Sequence, residues 1–147
     1  MKAFLKVPQK VHHGLLLMTA LARAYRAEQA VSLDTVAAGE SLSQGFLEEI
    51  AGDLRRAGLI VSRRGKAGGY LLARDPRQMA VGEIIAALEG PVALVECLGA
   101  KSGCPRSGSC SNESVWRRVQ GEVNRVLDGL TLAKAAGLAA PRRAKAV

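Results

Sequence analysis

The 147-residue sequence predicts a mainly α-helical chain with one small β-hairpin wing, a winged helix-turn-helix followed by a long C-terminal helix. Three observations predict it. Apolar residues recur at helical intervals in five separate stretches. A basic, glycine-rich segment joins two short β-favouring runs. Aromatics are only 3% of residues against 48% hydrophobic overall, so the core is aliphatic, which suits packed helices.

Residues 11 to 27, VHHGLLLMTALARAYRA, set Leu17 and Leu21 one turn apart with Met18 and Tyr25 alongside, which predicts a helix with one face in the core. The segment AVSL reads as an extended connector. Ser32 is then placed to cap a short helix over LDTVAAGE, with Leu33, Val36 and Ala37 on one face. Ser43 has the chemistry to cap the next helix, which runs to about Ala57. Phe46, Leu47, Ile50 and Leu54 form its inward stripe, while Gln44, Glu48, Arg55 and Arg56 point away. Gly58 sits where a helix stops.

LIVS and YLLA follow as short strands joined by RRGKAGG, a hairpin. MAVGEIIAALEGP is a further helix with Val81, Ile84, Ile85 and Leu88 inward, stopped by Gly90 and Pro91. Residues 112 to 128 carry Val115, Val119, Val123, Val126 and Leu127 at steps of three and four, and Leu130 follows. That pattern predicts a long amphipathic helix, serving either as a dimer element or as a cover for its own domain. The organisation expected is a DNA-binding unit over 1–92, a cysteine loop over 93–111, a dimerisation segment over 112–137 and a basic tail over 138–147.

Net charge is +8, which favours a polyanionic partner, although the terminal PRRAKAV holds part of it. No uninterrupted apolar run approaches the about 18 residues a membrane span needs, and no secretory cleavage pattern follows the first helix. The expectation is a cytoplasmic protein. No Walker-type glycine loop, nucleophile–histidine constellation or paired-carboxylate pocket points to an enzyme.

Helix, helix and basic hairpin, in that order, place the second helix in a DNA major groove and the wing against the backbone. Ser43, Gln44, Gly45, Glu48 and Arg55 lie on the outward side of that helix. Gln44 is suited to adenine and Glu48 to the amino group of cytosine. Arg63, Arg64 and Lys66 on the wing suit phosphate contact, which gives affinity without sequence information.

The stretches AGLIVSRRGKAGGYLLAR, AVGEIIAALEGP, the three cysteines, the single Trp and LTLAKAA together resemble the Rrf2 family of winged-helix repressors, from about Val11 to Ala136. The resemblance implies a homodimer bound to palindromic promoter DNA, with an iron–sulfur cluster in the loop before the dimer helix. By position the cluster cysteines are Cys97, Cys104 and Cys110, with [2Fe–2S] the first expectation and [4Fe–4S] the second. The recognition-helix contacts fall around Gln44, Gly45 and Glu48, and the wing contacts at Arg63 and Arg64. The chain departs from the family's usual RGPGGGY wing in reading RGKAGGY, and Lys66 adds a possible phosphate contact. Its first cysteine gap is one residue longer than in the iron–sulfur assembly branch.

All three cysteines fall in CLGAKSGCPRSGSC, with gaps of six and five residues. Those gaps differ from the Cys-x-x-Cys pairs of structural zinc sites and suit a wider loop around a cluster. Gly99, Gly103 and Gly108 permit tight turns, and Lys101 and Arg106 offset thiolate charge. A fourth ligand is missing. Glu113 stands where the iron–sulfur assembly branch has a histidine, and His12 stands where related sensors place a ligand that reaches across from the partner subunit. Imidazole ligates cluster iron better than carboxylate does, so His12 is preferred, while His13 is expected to pack. The alternatives are a cluster-free regulator of the same fold, responding to thiol redox or to a small molecule, and a zinc-binding interaction module.

Overall fold

The computed structural model describes residues 5–99 and 104–138. Helix α1 (Gln9–Ala24) runs through the centre, with Val11, Leu17, Met18, Leu21 and Ala22 buried. It ends in a 3₁₀ turn (Tyr25–Ala27) and a left-handed Glu28, which redirects the chain. Helix α2 (Leu33–Glu40) begins at Ser32, whose side chain accepts the Thr35 N–H as expected of a cap. A left-handed Ser41 turns the chain into α3 (Gln44–Arg56).

Helix α3 buries Leu47, Ile50, Ala51 and Leu54, with Phe46 half-buried at the edge. Ser43 occupies its N-cap position with extended backbone, but its side chain makes no capping bond, unlike the expectation from its chemistry. The C-terminus closes at Gly58 (φ +76°). The Gly58 N–H donates to the Arg55 carbonyl and the Leu59 N–H to the Leu54 carbonyl, both at 3.0 Å. This doubly bonded stop needs a left-handed residue at its centre, which glycine adopts without strain.

Strands β1 (Ile60–Arg63) and β2 (Gly69–Leu72) pair antiparallel, with Ile60 opposite Leu72 and Arg63 opposite Gly69. The hairpin is tied to the connector before α2, because Val31 and Tyr70 exchange backbone hydrogen bonds at 3.0 and 2.9 Å. Gly69 makes that contact possible, since a Cβ there would fall 2.3 Å from the Val31 carbonyl oxygen.

Helix α4 (Val81–Glu89) packs against α1 and α3 through Ile84 and Leu88. Gly14 of α1 lies against Leu88, which lets these two helices approach closely. Helix α5 (Glu113–Gly129) packs on α4, and a short α6 (Leu132–Ala135), absent from the sequence expectation, folds back onto α1. Two backbone bonds of 2.8 Å, Val81 N–H to the Leu130 carbonyl and Leu132 N–H to the Met79 carbonyl, join the end of α5 to the start of α4. One aliphatic core thus joins α1, α2, α3, the hairpin, α4 and α6. The basic tail expected over 138–147 lies outside the described residues apart from Leu138.

Candidate nucleic-acid interface and cysteine loop

Helix α3 presents Gln44, Gly45, Glu48 and Arg55 outward, all exposed, with Ser43 exposed just before it. The Gln44 side-chain amide faces the Glu48 carboxylate at 3.5 Å, so the two expected base readers lie side by side on one turn. The helix is braced from behind. Lys10 of α1 meets Asp53 of α3 at 2.6 Å, and Arg56 closes on the same carboxylate. The Lys10 hydrogen bond holds the Asp53 carboxyl below its ordinary pKa, and the same bond raises that of Lys10.

On the wing, Arg64 and Lys66 are exposed at the turn between the strands. Arg63 does something else. Its guanidinium donates to the Glu28 carbonyl at 3.1 Å and anchors the wing root to the turn after α1. Of the three expected phosphate contacts, Arg64 and Lys66 project from the tip while Arg63 is engaged within the fold. Glu28 was invisible as a partner because it lies 35 residues upstream and contributes only a main-chain oxygen.

The cysteine segment lies between α4 and α5. Cys97 sits in a 3₁₀ turn (Glu96–Leu98), and Cys104 and Cys110 flank a compact turn in which the Ser107 N–H bonds the Cys104 carbonyl and the Cys110 N–H bonds the Arg106 carbonyl. All three thiols are free and half-buried. Residues 100–103, which include Lys101 and Gly103, lie outside the described residues. Among those described, no three His, Cys, Asp or Glu side chains converge on a point where they could hold a metal ion.

Two side chains of α5 fasten this loop. Glu113 accepts the Gly108 N–H at 2.8 Å on one carboxylate oxygen and Arg117 at 2.5 Å on the other. The Gly108 bond, followed by that of Arg117, keeps the Glu113 carboxyl below its ordinary pKa. Both oxygens therefore already have partners. Gln120, 8% exposed, accepts the Leu94 N–H at 2.7 Å and donates to the Val92 carbonyl at 2.8 Å and to Asn124 at 3.2 Å. Sequence reasoning missed Gln120. Its signal was a polar residue in the row of Trp116, Val123 and Leu127, where one face of the helix is half-buried.

That row splits the single apolar stripe expected for α5 into two. Val115, Val119 and Val126 lie about 90° around the helix from it, at 100° per residue, and are 55%, 40% and 65% exposed. The described residues therefore leave the valine row uncovered. His12 is exposed on the first turn of α1. His13, half-buried beside it, packs edge-on against Phe46 of α3 with ring centroids 5.4 Å apart, and its Nδ1 is buried without a hydrogen-bond partner.

An exposed helix braced behind a two-helix turn, next to a basic hairpin, is the DNA-binding surface of a winged-helix transcriptional regulator. Residues 7–137 match the family described as Rrf2, iron-dependent transcriptional regulator, and the chain belongs to that family. It is 37% identical over 87% of both chains to the HTH-type transcriptional regulator CymR of Bacillus subtilis (strain 168). The solved structure of CymR, described as the global cysteine regulator of B. subtilis, superposes with a TM-score of 0.75 at 36% identity, covering 91% of this chain and 98% of that one. IscR of T. potens superposes with a TM-score of 0.74 at 38% identity, covering 91% and 88%. IscR of Aliivibrio salmonicida (strain LFI1238) is 32% identical over 87% of this chain and 75% of its own length. These relatives are DNA-binding transcriptional regulators and not enzymes. No helix among the described residues is long and apolar enough to cross a membrane.

Proposed function

We propose that this regulator acts as a homodimeric repressor on palindromic promoter DNA. An iron–sulfur cluster held by Cys97, Cys104 and Cys110 of one subunit and His12 of the partner subunit then controls its binding. The observation that carries this reading is the position of the three free thiols, in a loop fastened by Glu113 and Gln120 to the helix whose valine row is exposed. Thiolates are soft ligands that select cluster iron, copper(I) or zinc, so the donor chemistry fits a cluster. With both Glu113 oxygens occupied, the exposed imidazole of His12 is the better fourth ligand.

When bound, the cluster supplies a redox- and nitric-oxide-sensitive group. The chain's own residues do the rest. His12 lies one residue from His13, which packs on Phe46 at the start of α3, so a constraint on His12 acts on the recognition helix through direct contacts. A ligand that differs in affinity between the DNA-competent and incompetent arrangements shifts their populations.

Anaerobically purified protein tests the reading by visible absorption together with iron and sulfide content. Charge-transfer bands with stoichiometric iron and sulfide are expected. Colourless protein that still binds promoter DNA would instead favour a cluster-free, thiol-responsive regulator. The kinship with a global cysteine regulator gives that second reading its specific support. Zinc without salt-sensitive DNA binding would leave only an interaction module.

A further inference from the structure

We infer that the cleft between the C-terminal end of α1, the Pro76–Gln78 turn and α6 binds a small aliphatic carboxylate. Its apolar surface comes from Ala22, Pro76, Ala133 and Leu138, and Arg23, Arg26 and Arg77 line it as well. The volume is about 100 Å³. A cavity of about 150 Å³ accommodates benzene, so this one takes about four heavy atoms, the carbon chain of a molecule such as butyrate, with its two oxygens directed to the arginines.

The charges around the cleft do not balance. Asp75 is the only acidic residue among those described that line it, and the Arg77 guanidinium grips both oxygens of that carboxylate, at 2.6 Å and 3.0 Å for its closest approach to each. Arg23 donates its Nε–H to the Ala136 carbonyl at 3.3 Å, and among the described residues its terminal amino groups meet no carboxylate. Arg26, one turn further along, forms no ion pair among the described residues. Two like charges three residues apart repel each other, and an anion between them removes that penalty. Guanidinium groups match the planar, bidentate geometry of a carboxylate, while the apolar floor favours a short alkyl chain over a fully hydrated anion such as phosphate.

The cleft's position gives the site a role. The Pro76–Gln78 turn follows the wing in the chain and α6 follows the long helix, so a bound molecule touches the segments that continue from each. It is an effector site separate from the cysteine loop, and it stands whether or not the loop carries iron.

Butyrate titrated into the full chain, followed by backbone amide chemical shifts, tests the assignment against sodium chloride and sodium phosphate at equal ionic strength. Saturable shifts confined to the amides of Ala22, Arg26, Arg77 and Ala133 are expected with butyrate alone. Arg26→Gln, at an exposed position, should weaken that binding about tenfold, the size of one charge-assisted hydrogen bond. Shifts that fail to saturate, equal shifts with phosphate, or unchanged affinity in Arg26→Gln would each overturn it. None of these readouts depends on DNA or iron, so failure here leaves the cluster reading intact.

Discussion

Glu113 and Gly108 are joined across the turn of the cysteine loop, the carboxylate of one accepting the N–H of the other at 2.8 Å. The contact fastens the loop through Glu113, and we propose that this carboxylate is not a donor to whatever the loop holds. Glu113→Gln keeps an acceptor in place and should retain iron after anaerobic purification. His12→Ala should lose both the iron and the redox dependence of DNA affinity. The opposite pattern would move the fourth ligand to Glu113.

Gln120 is the one buried polar side chain among the described residues and holds the start of the loop at Val92 and Leu94. Gln120→Leu removes the partners of the part-buried Leu94 N–H and Val92 carbonyl, at a cost of about 1 kcal/mol. Urea denaturation should show the loss as a lower midpoint with an unchanged slope. Faster alkylation of Cys97 in the folded protein should accompany it, since the loop start is no longer tied to α5.

The row formed by Val115, Val119 and Val126 is exposed, and we propose it as the face of α5 that meets a second copy. Val119→Glu places a charge in that row without touching the face around Gln120. Sedimentation should then report a monomer whose helical circular dichroism is close to wild type. Promoter affinity should fall by orders of magnitude, because a palindromic site needs both half-site readers. A dimer that survives the substitution would place the interface elsewhere.

The wing separates anchoring from contact. Arg64→Ala and Lys66→Ala should each lower the slope of log affinity against log salt by about 1, with no change in sequence preference. Arg63→Ala should act differently, because its guanidinium holds the Glu28 carbonyl within the fold. Faster amide exchange at Val31 and Tyr70 is the expected sign, along with weaker DNA binding. If all three substitutions change the salt slope equally, Arg63 contacts phosphate as well.

Short-range chemistry wrote much of this molecule into its sequence. Leu33–Glu40 is helical over the residues its pattern predicts, Ser32 caps it, Gly58 ends α3, and the hairpin falls where RRGKAGG joins two apolar runs. Each of those features depends on residues only a few positions apart, where helical periodicity and turn stereochemistry suffice. The exposed row Gln44, Glu48 and Arg55 followed from the same periodicity.

Tertiary structure decided what depends on distant partners. The valines of α5 could have faced inward or outward, and only the packing of Trp116, Gln120 and Leu127 toward the α4 side left them exposed. Arg63 looked like its neighbour Arg64 until a carbonyl 35 residues away claimed it. Ser43 had the chemistry of a cap and made no capping bond. The cysteines were legible as a set, but the hold of Glu113 and Gln120 on their loop was not. Residue type records which bonds a side chain is able to make; the folded backbone determines which partner stands at 2.8 Å to make one.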